Sequence, residues 1–402
     1  MTGLRLGGRR GIDGRADLGP FVLEGDHLTT HGAIVGMTGS GKTGLLTVLV
    51  EEALRAEVPV LLIDVKGDLP NLRLAVPSFA PEAIAPWVEA PPGDEDGIPD
   101  PPLVAKVAKE RADALMSWGI DEAALVAYAR KTHIRVITPG SDAGESLHVL
   151  SALEHRSSRW DDDLEGARTT LAAAVSLVMR LVGREADPGK SKEHALVSLL
   201  AEARLMRGKD APLAALVTEI MDPPMATIGA LEVDEFLPPR RRRELAADLN
   251  TLLAAPSLSS WRVGAPLDVA GWMAPALGKT PATIVSVAHL PEEQRQLVLG
   301  VVLEEVLAWV KRLPGSSRLR ALVVLDEIRG FVPPHPASPP TKRPLLGLVQ
   351  QARGYGVGCV LATQNPMDLD YRALSNAGLW CLGRLQTDAD RDRVLDGLDE
   401  NK

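Results

Sequence analysis

Gly36-Met37-Thr38-Gly39-Ser40-Gly41-Lys42-Thr43 decides the fold of this chain. It reads G-x-x-x-x-G-K-T, the pattern of a loop that cradles phosphates. Glycine lets the backbone curl until several N–H groups face one concavity. Lys42 supplies a cation for the outer phosphates, and the Thr43 hydroxyl is a hard oxygen ligand suited to Mg²⁺. Ala33-Ile34-Val35 before the loop is a short apolar strand, and residues 44–54 after it carry apolar positions at helical spacing. The phosphates of ATP are therefore expected at a helix N-terminus, against Gly36, Met37, Thr38, Gly39, Ser40, Gly41, Lys42, Thr43 and Gly44.

The next strand, Val58-Pro59-Val60-Leu61-Leu62-Ile63-Asp64, is a continuous apolar run, as in a parallel strand buried on both faces. Its end, Asp64-Val65-Lys66-Gly67-Asp68, reaches the carboxyl edge of the sheet, where ligands of open α/β sheets bind. Asp64 and Lys66 are thus expected near the nucleotide. Far downstream, Ala321-Leu322-Val323-Val324-Leu325-Asp326-Glu327 is an apolar strand ending in two acids. Asp326 is suited to the Mg²⁺ shell, and Glu327 to orienting or deprotonating water. The strand leading to Ala362-Thr363-Gln364-Asn365-Pro366 ends in polar residues, and Gln364 can bond the γ-phosphate or the attacking water. This order of strands fits the P-loop ATPases with an extra central strand. No N-K-x-D guanine signal occurs in the sequence. The expected fold is α/β, a mostly parallel RecA-like sheet flanked by helices, with a helical insertion.

The bulk numbers agree with a single large α/β unit carrying an insertion, or with two domains. The chain has 402 residues, 45% hydrophobic and only 3% aromatic, so Leu, Val and Ala must fill the core. A net charge of −9 is unlike a monomer coated by nucleic acid, but leaves room for a local basic channel. Cys359 and Cys381 lie in apolar runs and read as small buried hydrophobes of a reducing compartment. The N-terminus lacks the apolar segment of a signal peptide, and no run is long enough to span a bilayer, so the expected location is cytoplasmic.

The chain divides into a lead-in hairpin over 1–30, an ATPase core over 31–76 and 281–402, and a largely helical insertion over 77–280. Within the last, a Pro- and acid-rich loop is centred on 90–97, and 133–138 is strand-like. Helices are expected near 163–182, 190–207, 211–221 and 240–254, and outside the insertion near 291–312, 345–353 and 388–395. Arg240-Arg241-Arg242-Arg243 admits two readings: a nucleic-acid patch, or a helix end offset by neighbouring acids.

Taken together, these motifs resemble the HerA/FtsK superfamily of ring ATPases, and HerA-like bacterial ATP-binding proteins in particular. The likeness rests on His31-Gly32-Ala33-Ile34-Val35-Gly36 entering the P-loop, on Leu62 to Asp68, and on Val324-Leu325-Asp326-Glu327. It continues through Gln351-Ala352-Arg353-Gly354-Tyr355-Gly356-Val357-Gly358 and ends at Pro366, covering roughly 28–68 and 281–397. The resemblance implies a homo-hexamer that moves double-stranded DNA through a central pore. It also implies an arginine finger reaching into the neighbour's site, with Arg353 the best match and Arg384 the second. A nuclease or another effector is the partner such a ring implies. The sequence departs from the family at Ile328-Arg329, where many HerA-like proteins have Ala-His, and its first thirty or so residues hold no archaeal HerA barrel. The chain also stops soon after the last motif, so it lacks the C-terminal brace of the ring or is part of a longer protein. Two other functions stay open: a secretion or conjugation coupling ATPase, and an ATP-dependent scaffold of a defence complex.

Overall fold

The computed structural model describes residues 3–11, 14, 17–90, 99–255, 259–366, 369–385, 387–388, 391–392 and 394–395. Residues 91–97 of the acidic loop, and positions 389, 390 and 393 of the expected closing helix, lie outside them. Strands β1 (Gly3–Arg10) and β2 (Asp17–Glu24) form an antiparallel hairpin. Next come β3 (Gly32–Val35), α1 (Lys42–Arg55) and β4 (Val60–Asp64). Helices α2 (Pro101–Ser117) and α3 (Glu122–Lys131) lead to β5 (Thr132–Ile137). A helical excursion follows: α4 (Leu164–Leu181), α5 (Lys192–Met206), α6 (Leu213–Met221) and α7 (Pro239–Ala254). The chain returns through β6 (Thr280–Ser286), α8 (Glu292–Arg312), β7 (Ser316–Asp326), α9 (Lys342–Gln351), β8 (Tyr355–Thr363) and β9 (Leu379–Leu382).

The central sheet has seven strands in the order β9-β3-β8-β7-β4-β6-β5, and every pairing is parallel. Strand β8 separates the P-loop strand β3 from β7, as the order of motifs requires. Strand β5 comes from within the segment 77–280 and is an edge strand of this same sheet, so the helical excursion proper lies between β5 and β6.

Alternation along the strands builds two cores. On one side of the sheet Val60, Leu62, Val324 and Val360 pack with Leu46, Leu49 and Val50 of α1. On the other, Leu61, Ile63, Val323 and Leu325 meet the helical layer. Helix α8 is the middle of that layer. All residues from Val298 to Val310 are buried, because α8 packs on β8, α4 and α9 at once. Glu292 and Glu293 in its first turn, and Lys311 and Arg312 in its last, suit the helix dipole. Among the described residues no helix is long and apolar enough to cross a membrane.

The hairpin is held to α1 through the backbone N–H of Arg5, which donates to the Glu52 carboxylate at 2.8 Å. His31 joins it to the sheet. Its backbone is left-handed (φ 64°), its ring is 2% exposed, and Nδ1 accepts from the Cys359 N–H at 3.0 Å. Burial, seconded by the charge of Arg353, lowers its pKa to about 4. The unfolded chain then takes up the proton first, so stability falls as pH drops from about 6.5 toward 4, by up to about 3 kcal/mol. Denaturant unfolding at pH 7 and pH 4.5 measures this loss, and His31→Asn, which tolerates the positive φ, should shrink it.

Candidate active site

Every strand that ends near Gly36–Thr43 delivers a polar group there. Gly39 (φ 78°) and Gly41 (φ 87°) occupy the left-handed region, which the curl of the loop requires. A Cβ on Gly36 would stand 2.5 Å from Ser40 Oγ and 3.1 Å from the Gly383 Cα, so this turn has room only for glycine. The loop is tied to its neighbours on both sides. Gly36 N donates to Thr363 O at the end of β8, and Met37 N donates to Arg384 O just beyond β9. Gly44 is exposed in the first turn of α1 with open space where a side chain would stand.

Lys42 folds back onto its own loop. Its Nζ donates to Gly36 O at 2.5 Å and to Met37 O at 3.0 Å, and the residue is 8% exposed. Burial lowers its pKa, and Lys66 pushes the same way, while Glu327 and Asp326 oppose them. The lysine therefore occupies the mouth of the loop, bridging two carbonyls that nucleotide phosphates would displace it from.

The acids come from adjacent strands. Asp326 lies beside Asp64 in register on β7 and β4, and both are fully buried on the α1 side of the sheet. Their environments differ. Asp64 accepts from Ser286 Oγ at 2.9 Å and from Gly67 N at 2.8 Å, so its carboxylate is spent on holding β6 and the 64–67 turn. Neither oxygen of Asp326 has a hydrogen-bond donor among the described residues. Burial raises its pKa; Lys66 works against that, and Glu327, Asp64 and Asp68 add to it. A buried carboxylate that accepts no hydrogen bond is suited to bind a cation. Among the described residues no cluster of three His, Cys, Asp or Glu side chains could hold a metal. Mg²⁺ takes one or two protein oxygens and completes its shell with water and phosphate, a demand that the Asp326 carboxylate meets. Asp326 and the Thr43 hydroxyl of the loop are the residues that would hold it. When bound, Mg²⁺ supplies positive charge to the β- and γ-phosphate oxygens.

Glu327 follows directly, with φ 66°. A left-handed glutamate is strained and persists only when its surroundings impose it. The next residue does so: Ile328 is fully buried and its N–H donates to Ala362 O at 3.0 Å. The Glu327 carboxylate meets Lys66 Nζ at 3.3 Å and Thr363 Oγ1 at 3.5 Å, the second at the limit of a hydrogen bond. Gln364 completes the cluster from the end of β8. Its Oε1 accepts from Thr38 Oγ1 at 2.8 Å, a direct link between the polar strand end and the P-loop.

The two arginines part company. Arg384 is exposed beside its own P-loop, through the Met37 bond. Arg353 precedes β8 and is exposed at the opposite end of the sheet, roughly 30 Å from Gln364 at about 3.3 Å per residue. The arginine run over 240–243 resolves toward its acidic neighbours. Arg240 pairs with Glu244 at 3.0 Å, Arg241 pairs with Glu193, and the buried Arg242 reaches Asp234 at 2.9 Å. Both cysteines are free thiols; Cys359 is wholly buried, and Cys381 half-buried. Sequence reasoning named Thr38 with the phosphate loop but missed its bond to Gln364, and missed the Ser286 hydroxyl altogether. Both bonds join distant segments: Gln364 lies 326 residues from Thr38, and Ser286 lies 222 from its acid.

The family described as Helicase HerA, central domain matches residues 19–94, which run from β2 through the P-loop and past the Asp64 turn. No curated protein matches the chain by sequence. Among solved structures, VirB4 of Thermoanaerobacter pseudethanolicus is similar with a TM-score of 0.55 at 14% identity, over 99% of this chain and 88% of that one. The plasmid coupling protein TrwB bound to a non-hydrolysable GTP analogue gives 0.44 at 13% identity, over 88% and 66%. TrwB with ADP and Mg²⁺ gives 0.43 at 13%, over 88% and 66%. The VirB4 likeness bears on the fold, and does so along the whole chain. The HerA central-domain match, over 19–94, runs through the phosphate loop, and the likeness to VirB4 extends the P-loop α/β fold to the rest of the sheet.

Proposed function

We propose that the chain is one subunit of an ATP-driven hexameric ring that translocates double-stranded DNA. Within a subunit, Lys42 leaves the carbonyls of its loop for the outer phosphates, and Asp326 and Thr43 hold Mg²⁺. Glu327, fixed by its strained backbone, orients and deprotonates the attacking water. Gln364 senses the γ-phosphate and passes the state of the site to the loop through Thr38. Asp64 positions Lys66 rather than touching nucleotide.

The observation that carries the ring is the place of Arg353, exposed about a strand's length from its own site, so that a finger role for it would be played across a subunit contact. A helicase central domain as the matching family supports DNA as the polymer. The overall charge of −9 is no obstacle, because a few cations per subunit, repeated around a pore, suffice to track phosphates. The test is steady-state ATP hydrolysis with and without duplex DNA across a salt series. DNA-stimulated turnover that weakens steeply with salt is expected. Turnover indifferent to DNA and salt would instead favour a coupling ATPase or a scaffold.

A further inference from the structure

The acidic end of β7 holds a cation already, and it is not the P-loop lysine. Lys66 Nζ stands 3.3 Å from Glu327 Oε2 and 4.0 Å from Asp326 Oδ1. It makes no other hydrogen bond or ion pair among the described residues. It is carried there by a built turn. Gly67, left-handed at φ 89°, donates its N–H to the Asp64 carboxylate, which Ser286 anchors from the other side. Lys42, the other nearby ammonium, is committed to the carbonyls of Gly36 and Met37.

Electrostatics requires such a charge. Asp326 is fully buried with two donorless oxygens, and Asp64, Asp68 and Glu327 add negative charge around it. Buried carboxylates left uncompensated destabilise the fold by several kcal/mol, whereas a paired cation relieves them. A divalent ion at Asp326 and an ammonium about 4 Å from the same oxygen repel each other, so the two compete for that position.

Resting on the P-loop ATPase reading, we propose that Lys66 is a built-in counter-cation of Asp326 and Glu327: it competes with Mg²⁺ for that position, excludes free divalent metal, and yields only when the metal arrives with nucleotide. The triphosphate makes the exchange possible, because its own negative charge re-pairs the displaced ammonium. The subunit then responds to the metal–nucleotide complex and ignores metal alone.

The experiment titrates Mn²⁺ alone, without nucleotide, followed by electron paramagnetic resonance. Lys66→Met keeps the aliphatic stem and removes the charge; it should bind Mn²⁺ about tenfold or more tighter than the unsubstituted protein. Lys66→Arg, which keeps a cation, should remain weak, and adding Asp326→Asn to Lys66→Met should erase the gain. Equal Mn²⁺ affinity in folded Lys66→Met, or a gain that survives Asp326→Asn, overturns the proposal. Should Lys66→Met fail to fold, Lys66→Gln serves with the same scoring. In the unsubstituted protein, acylation of Lys66 mapped by mass spectrometry should change when Mg²⁺ and a non-hydrolysable ATP analogue are added together and stay as it was with Mg²⁺ alone; unchanged labelling with both counts against displacement. Binding of that analogue by the unsubstituted protein is scored separately: its absence sinks the nucleotide reading, whatever the Mn²⁺ titration gives.

Discussion

Glu327→Gln should bind ATP as tightly as the unsubstituted chain and hydrolyse it about a hundred to ten thousand times more slowly, the usual weight of a positioned general base. The substitution removes a proton acceptor and keeps the shape, so the left-handed turn (φ 66°) and the Ile328 anchor that imposes it are retained. It also removes a charge that Lys66 faces at 3.3 Å, which leaves the ammonium with Asp326 alone. Fluorescent-nucleotide titration and phosphate release measure the two halves of this prediction. A chain that loses binding along with turnover would make Glu327 a structural acid. Hydrolysis near the unsubstituted rate would assign the base elsewhere, and a process that survived lost hydrolysis would favour the scaffold reading over the motor.

How much of this was legible in the sequence depends on how local each feature is. The strands β4, β7 and β8 were legible because strands buried on both faces must be apolar throughout, and the break in that pattern at Asp64, Asp326 and Gln364 marks their carboxyl ends. The insertion of β8 between β3 and β7 followed from the order of the motifs. What was hidden is what distant segments do to the same residues. Asp64 and Asp326 look alike in sequence, each an acid after an apolar run. Ser286 and Gly67 donate to one, whereas among the described residues the other accepts no hydrogen bond and has Lys66 4.0 Å away, a difference no local pattern announces. The left-handed Glu327 has no local signature either, since neither glycine nor asparagine occupies the position. The arginine run was ambiguous for the same reason: Glu193, which takes Arg241, comes from α5 and not from the run's own helix. The edge position of β5 was equally out of reach, because a strand's rank in a parallel sheet is fixed by its crossover connection and not by its residues.

Arg353→Ala should lower hydrolysis by on the order of a thousandfold, as loss of an arginine finger does, while leaving nucleotide binding intact. The residue is exposed and stands at the far end of β8 from its own phosphate loop, so its loss disturbs neither the core nor the cis site. Mixing variants tests the direction of the effect. Lys42→Ala subunits have a dead site and an intact finger; Arg353→Ala subunits have the reverse. In a randomly mixed ring at equal amounts, roughly a quarter of interfaces join a live site to a live finger, so DNA-independent hydrolysis should recover toward that fraction of the unsubstituted rate. Each variant alone stays inactive. Arg384→Ala is the control, because its backbone already bonds Met37 of its own loop: a cation acting within its own subunit is not rescued by a neighbour. Recovery with Arg353→Ala and none with Arg384→Ala makes the phosphate loop half of a subunit interface. The opposite pattern would move the finger to the β9 end, and no recovery with either would make each subunit's site complete in itself. The mixture thus reads whether hydrolysis is a property of one chain or of the contact between two, and the proposed ring requires the latter.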